Sequence, residues 1–493
     1  MVRRHPAPRP DTGLGVPPVD GRYEDGRLAD LVYYVLRDYV GEGQLTVPIR
    51  DPNLEDIEAN RVGERVKVVP RTDVGHDGRI PTNLTFEQES AFVNVVTQLA
   101  AADGAELNAS NPSAKVNLSP GEVDDGVTIR CAVALPVISE DGPHISIRKQ
   151  APDALTPVDL VESGSLTADL VTVLWLLYEH HGVVLFSGPT GVGKTTLMNA
   201  HMPFVPFDDR PISIDEGSRE VRLPHETGIS LTTRDHEDEF KAVTMADLMT
   251  EANYLNPDVE VIAEINTPAS FSTFAESLNT GHGLLGTTHA ENVEKLVNRV
   301  VEQGLPPYLL REIDLVVFPR QVGGERYVSR AVELLSAEEY EALDPEAKRS
   351  PTGDPKRGGA GVVDKGGEAV YYNTLAWRDA DGEFRFPGAP ESDAATAPGD
   401  GARLHAFDRI AEHTDREVDA VRSEFVAKRR YVEYLVQEGV DDVDALFEFL
   451  ADLRTDEAAT VERAARTMDR AADERDGRRG AGDPNATDDR RRP

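Results

Sequence analysis

The sequence predicts an α/β domain built on a parallel sheet, with a smaller α+β domain before it and a hairpin and helices after it. Three observations predict this. Over residues 159–335, helical apolar periodicity alternates with short buried runs, the pattern of strands joined by helical crossovers. A glycine-rich loop, Gly188-Pro-Thr-Gly-Val-Gly-Lys-Thr-Thr196, lies between one such run and one such helix. Most of the buried runs end in polar residues, where ligands of parallel sheets sit.

The chain has 493 residues, too many for one compact core, so two or three domains are expected. No apolar run reaches membrane-spanning length; the greasiest, 170–177, is too short. The first residues carry arginines and prolines without an apolar core segment, so nothing argues for export. With one cysteine, Cys131, an internal disulfide framework and a cysteine-based zinc cage are excluded. These features predict a soluble cytoplasmic protein. The net charge is -36, spread along the whole chain. Such a surface repels nucleic acid and anionic lipid. It fits a solvated adaptation to a salt-filled cytoplasm, as in a halophile; the alternative is an interface for a basic partner.

In chain order, 1–20 is Pro- and Arg-rich and expected to be disordered. Residues 21–150 read as an α+β module, with one clear helix over 86–102. A linker, 151–164, precedes the α/β domain at 165–335. There the pattern predicts a helix at 166–180, a strand at 183–186, the glycine loop, and a helix at 195–201. Further strands follow at 212–214, 259–263, 284–288 and 315–318. The polar, Gly/Pro-rich stretch 336–367 reads as a flexible insertion. Residues 368–470 read as a small hairpin (369–377 with 383–386) and, after a linker at 392–401, two amphipathic helices. Val418, Val421, Phe425, Val432 and Leu435 stripe the first; Val443, Leu446, Phe447 and Leu450 stripe the second. The tail, 471–493, is expected to be disordered.

Gly188, Pro189, Thr190, Gly191, Val192, Gly193, Lys194, Thr195 and Thr196 fit the phosphate-binding loop without gaps. Glycines let successive amides turn inward around an anion, and the helix start behind them adds positive potential. Lys194 is placed to reach the β- and γ-phosphates of ATP, and the Thr195 hydroxyl to ligate Mg²⁺. By chance the pattern appears in on the order of one per cent of chains this long; here it also has the required strand–loop–helix context. Glu264 ends the buried run that starts at Val259, where a carboxylate can orient or deprotonate water, or hold the metal through water. Asp215 and Glu216 end another strand. One could serve as the water-activating carboxylate and the other as an outer metal partner, or both could be solvated acids of an acidic protein. His289 follows the strand at 284–288, where an imidazole can report on the γ-phosphate, although a lone strand-end histidine is more often structural.

Together these blocks resemble the secretion ATPase superfamily of type II secretion, type IV pili and conjugation, and more narrowly its archaeal pilus and archaellum branch. Its motifs recur in order: Walker A at 188–196, the Asp box at 215–220, Walker B ending at Glu264, and the His box at 281–290. Asp51-Pro-Asn-Leu-Glu-Asp-Ile57, Ile145-Ser-Ile-Arg-Lys149, Leu155-Thr-Pro-Val-Asp-Leu160 and Leu223-Pro-His-Glu226 look like branch signatures outside them. The resemblance implies a RecA-like P-loop motor domain in a homohexamer, with ATP and Mg²⁺ bound between N-terminal and motor domains. It also implies an integral membrane platform protein as partner, at the cytoplasmic face of the membrane, with no nucleic acid and no direct membrane insertion. By analogy Arg219, Arg234 and Arg148 are candidates to complete the phosphate pocket, Arg148 being equally readable as a surface arginine paired with an acid. The chain departs from the pattern in three respects. Asn253, Asn256 and Asn266 stand where the family writes arginines, Ala263 replaces a glycine, and the Asp box reads Asp-Glu with an extra residue before Arg219. Nucleotide binding is thus a firmer expectation than fast hydrolysis. The departures favour a divergent pilus or secretion member over an archaellum motor.

Overall fold

The computed structural model describes residues 25–463 apart from 40, 72–77, 119–128, 150–153, 218, 235–239, 344–357, 366 and 387–403. The tails expected to be disordered, 1–20 and 471–493, lie outside the described residues. The chain divides into two compact units, Met1–Asp153 and Ala154–Pro493.

In the first unit three helices, α1 (Asp25–Tyr39), α2 (Thr46–Arg50) and α3 (Glu89–Ala102), accompany six strands: β1 (Leu54–Ala59), β2 (Arg65–Pro70), β3 (Ile80–Thr85), β4 (Ser113–Leu118), β5 (Ile129–Ala134) and β6 (His144–Lys149). The strands form one sheet in the order β3-β2-β1-β6-β5-β4, and every pair is antiparallel. Alternation along β2, β5 and β6 sends Val66, Val68, Ile129, Cys131, Ile145 and Ile147 into one core. Phe92, Val96 and Leu99 of α3 cover it, and Phe86 stacks on Phe92 at 4.1 Å.

The second unit opens with α4 (Pro157–Glu162) and α5 (Ala168–Glu179), then alternates β7 (Val183–Ser187), α6 (Lys194–Ala200), β8 (Pro211–Asp215), β9 (Ile229–Thr232), α7 (Met245–Tyr254), β10 (Val259–Ile265), α8 (Pro268–Ser277), β11 (Gly283–Thr288) and α9 (Val293–Glu302). It continues through β12 (Leu315–Val322), β13 (Glu325–Leu335), α10 (Ala337–Ala342), β14 (Ala360–Lys365), β15 (Glu368–Arg378) and β16 (Phe384–Arg385), and closes with α11 (His405–His413), α12 (Val418–Glu438) and α13 (Val443–Thr455). The sheet order is β14-β15-β13-β12-β7-β11-β10-β8-β9, with β16 on β15. The strands from β12 to β9 run parallel, and the β13–β15 extension is antiparallel. This is the RecA-like P-loop arrangement, in which β7, β11, β10 and β8 bring their carboxyl ends to one edge. The sheet lies between two cores, one gathering α5, α11 and α12, the other α7, α8 and α9. The central helix α5 is buried on nearly every face, as its continuous apolar run requires.

Two features depart from the expected organisation. The stretch 336–367, read as flexible, carries regular structure at both ends. Ser336 and Glu339 close a capping box on α10, and β14 pairs in register with β15 from Ala360 to Lys365. A sheet edge supplied by β15 overrides the Gly-rich composition there. Residues 369–377 and 383–386 form the expected hairpin, but β15 also pairs with β13, so the hairpin is part of the main sheet.

Candidate active site

β7 ends in the fully buried Ser187, whose hydroxyl donates to the Ala290 carbonyl at 2.7 Å. The chain then turns through the loop into α6. Gly191 and Gly193 take φ of 84° and 88°, left-handed values that glycine alone adopts without strain. Gly188 lies too close to its surroundings for a larger residue: a Cβ there would meet the Pro319 carbonyl oxygen and Val192 Cγ2, each at 3.1 Å. Lys194, the first residue of α6, is 7% exposed, and its ammonium donates to the Pro189 carbonyl at 3.0 Å. Burial lowers its pKa; the Glu264 carboxylate opposes this and the Arg299 guanidinium adds to it. A Cβ at Gly191 would meet nothing within 4 Å, so the loop has open space beside it. A buried ammonium held within a turn of this kind is a cradle for a polyanion.

Glu264 emerges from β10 with its side chain 46% exposed, between the buried Ala263 and Ile265. The reason is local. Pairing of β10 with β11 slips between Ile262 and Ile265. The Thr287 and Thr288 hydroxyls take the carbonyls of Ala263 and Ile265 at 2.7 and 2.8 Å. A bulge of this type re-aims one side chain. Glu264 Oε1 meets His289 Nε2 at 2.6 Å, and His289 Nδ1 lies 3.4 Å from the Thr190 hydroxyl in the loop. One imidazole therefore bridges the loop and the end of β10. The His289 hydrogen bond holds the Glu264 carboxyl below its usual value, against the effect of burial and with help from Asn266 and Lys194.

Asp215 closes β8 and is buried. Together with Ser213, Arg219, Val221, Ser230 and Thr232 it borders a cavity of about 350 Å³. Glu216 accepts a hydrogen bond from the Thr267 hydroxyl, which also caps α8. Arg219 has a positive φ of 50°. Arg234 makes a two-way backbone bridge with Val243. Arg148, in the first unit, pairs in a fork with Asp56 at 3.0 and 3.3 Å. Thr195 is partly buried in the first turn of α6 and Thr196 is exposed. The loop, Lys194, Glu264 and His289 thus converge, while Asp215 and Arg219 meet at the neighbouring cavity.

Two residues escaped the sequence reading. Arg326, at the start of β13, donates from Nε to the Gly191 carbonyl at 3.0 Å. The Gly323-Gly324 turn between β12 and β13 is a recognisable hairpin signal that carries it back to the loop. Arg299 of α9 donates to the carbonyls of His289 and Asn266, each at 3.3 Å, and to the Asn266 side-chain oxygen at 3.2 Å. No local motif announces Arg299; its partner Asn266 is read from the sequence only as a departure from the family pattern, without a role of its own.

A sequence model of the family described as "Type II/IV secretion system protein" matches residues 113–328, a stretch that contains the loop, Asp215, Glu264 and His289. An uncharacterized protein of Methanocaldococcus jannaschii, MJ0900, is 31% identical over 271 residues, 55% of this chain and 46% of that protein. A putative conjugal transfer protein of Mycobacterium tuberculosis is 27% identical over 225 residues, 45% of this chain and 63% of that protein. The type II secretion system protein HxcR of Pseudomonas aeruginosa is 30% identical over 147 residues, 30% of each chain. The chain spans about half the length of MJ0900. Among the described residues no helix is long and apolar enough to cross a membrane. Residues 113–328, which hold the loop and the carboxylates around it, are thus similar to the type II/IV secretion system proteins.

Proposed function

We propose that this chain is an ATP-hydrolysing motor for a type IV pilus-like or secretion machine. It works as a homohexameric ring at the cytoplasmic face of the membrane and pushes on an integral membrane platform protein. The observation that carries the catalytic part is the Thr190–His289–Glu264 contact, which joins a phosphate-type loop to a half-exposed carboxylate. In this reading the loop amides and Lys194 hold the triphosphate of ATP. The Thr195 hydroxyl and Glu264 would hold Mg²⁺, which would supply charge neutralisation at the phosphates. Their residue types suit the ion, which takes oxygen donors. Glu264, kept ionised by His289, orients the attacking water. His289 touches both loop and carboxylate, so filling of the loop is felt at β11. Asp215 and Glu216 act as outer carboxylates around metal and water. Arg219, Arg234 and Arg148 are the proposed cationic partners of the phosphates; Arg148 serves only after releasing Asp56.

Steady-state ATPase rates of the full chain at high salt test this, with Lys194→Ala and Glu264→Gln beside wild type. We expect both variants to lose roughly 100-fold or more in kcat, the range for loss of one preorganised group. Lys194→Ala also weakens Mg²⁺-ATP binding, while Glu264→Gln retains it. A wild type no faster than either variant would overturn the reading. A DNA-transfer motor is the second reading, favoured by the likeness to a putative conjugal transfer protein. The charge of -36 opposes it, and saturable DNA binding at high salt would restore it.

A further inference from the structure

We infer that Arg299 is a positioning residue for the hydrolytic carboxylate, acting through Asn266 on one side and the His289 backbone on the other; this rests on the ATPase reading above. The argument begins with the ends of β10 and β11. Their ladder runs out at the Ile265–Thr288 pair, so the carbonyls of Asn266 and His289 that follow lie beyond it. Both take their hydrogen bonds from one guanidinium, NH2 donating to the Asn266 carbonyl and NH1 to the His289 carbonyl, each at 3.3 Å. A planar fork with fixed donor directions ties the two strand ends to a common plane, which a flexible ammonium does not do.

The fork also sets a side chain. NH2 donates to Asn266 Oδ1 at 3.2 Å, so the amide oxygen of Asn266 faces Arg299 and its NH2 group is left to donate elsewhere. The Asn266 amide stands two residues beyond Glu264 and favours its ionised carboxylate. Glu264 in turn holds His289 at 2.6 Å, and the His289 carbonyl returns to Arg299. Arg299 thus reaches the Glu264–His289 pair through Asn266 and the His289 backbone and touches neither reacting group directly. The guanidinium is partly buried over the Phe271 ring, 5.9 Å from its centre, which fixes it from below. Where the family resemblance implies an arginine at position 266, this chain writes asparagine and brings the guanidinium from α9. The positive group lies behind Asn266 and the His289 backbone rather than at position 266 itself.

The test is kcat and KM for Mg²⁺-ATP in the full chain for wild type, Arg299→Gln, Arg299→Lys, Asn266→Ala and the Arg299→Gln/Asn266→Ala double variant. Each variant is also checked by thermal melting and by nucleotide binding. Arg299→Gln is expected to lower kcat roughly 30- to 100-fold, the cost of a misplacement of about 1 Å, with KM within about threefold. Arg299→Lys keeps the charge and fails to restore the rate. Asn266→Ala loses roughly tenfold or more by itself, and the double variant is within about threefold of Arg299→Gln, because both act along one path. If wild type hydrolyses ATP and Arg299→Gln or Asn266→Ala keeps kcat within threefold of it, or if the two losses multiply, the assignment falls and the ATPase reading stands. Should Arg299→Gln fail to melt cooperatively, Asn266→Ala against wild type decides by the same threshold. A wild type that hydrolyses no ATP ends both.

Discussion

His289 meets Glu264 at 2.6 Å at the ends of β11 and β10, and His180 meets Glu424 at 2.9 Å between α5 and α12. The two pairs use the same groups in different surroundings. Glu264 is 46% exposed and looks onto an open glycine loop. Glu424 is 20% exposed and enclosed by cations, with Arg416 and Lys428 also on its oxygens. Lys428 itself occupies an apolar-stripe position of α12. It sits 4.3 Å over the Trp175 ring and donates to Glu179, which also accepts from the Trp175 indole at 2.7 Å. Glu179, His180 and Glu424 have ligand atoms near enough to one another to hold a metal ion, but Lys428 already bridges the two carboxylates, with Arg454 on Glu179 and Arg416 on Glu424. A saturated carboxylate holds helices together; an unsaturated one at a strand end is available for chemistry.

Three experiments break or sharpen this contrast. The largest effect belongs to Lys428→Met. It leaves Glu179 and Glu424 without their shared buried cation and is expected to cost about 3–5 kcal/mol in chemical denaturation. Glu264→Gln moves stability by less than about 0.5 kcal/mol, as expected for a half-exposed strand-end residue. Next comes the pH dependence of the clamp. Burial pushes the Glu424 carboxyl up, but the His180 hydrogen bond and the Lys428 and Arg416 cations outweigh it and hold it at about 2, against an ordinary 4.5. A depressed carboxyl contributes stability that is full above about pH 4.5 and lost as pH falls toward 2. Urea unfolding of wild type should show this acid loss, on the order of 3 kcal/mol, and Glu424→Gln should flatten it. The smallest effect is Arg148→Gln. Its fork to Asp56 is a surface pair, so at most about 1 kcal/mol of stability is expected to go. A fall in ATPase rate in that variant far beyond this small stability loss is what the proposed phosphate role of Arg148 requires, and an unchanged rate removes it from the pocket.

The parts of the site that could be read from the sequence were those set by short-range pattern. The loop declared itself by spacing; Glu264 and His289 stood after buried runs, but only their motif context, Walker B and the His box, separated them from ordinary strand-end residues. The relay could not be read. Arg299 reaches Asn266 across 33 residues and Arg326 reaches Gly191 across 135, contacts fixed only once β10, β11 and β13 share a sheet. Composition misled at 360–365, where an available strand edge decided the structure. It also hid α11, whose buried His405, Phe407 and Ile410 are too few to raise a clear helical stripe.

β13 begins at the glycine loop, where Arg326 holds the Gly191 carbonyl. Seven residues later Glu333 is fully buried, its carboxyl pushed up to about 7 by burial, and accepts the Ala406 amide at the start of α11 at 2.9 Å. Seven residues of extended chain span about 24 Å, and this stretch is braced by β12 and β15 on its two sides. The strand therefore has a hook at each end, one on the glycine turn and one on the first of the closing helices, so a single element of the sheet ties the two together.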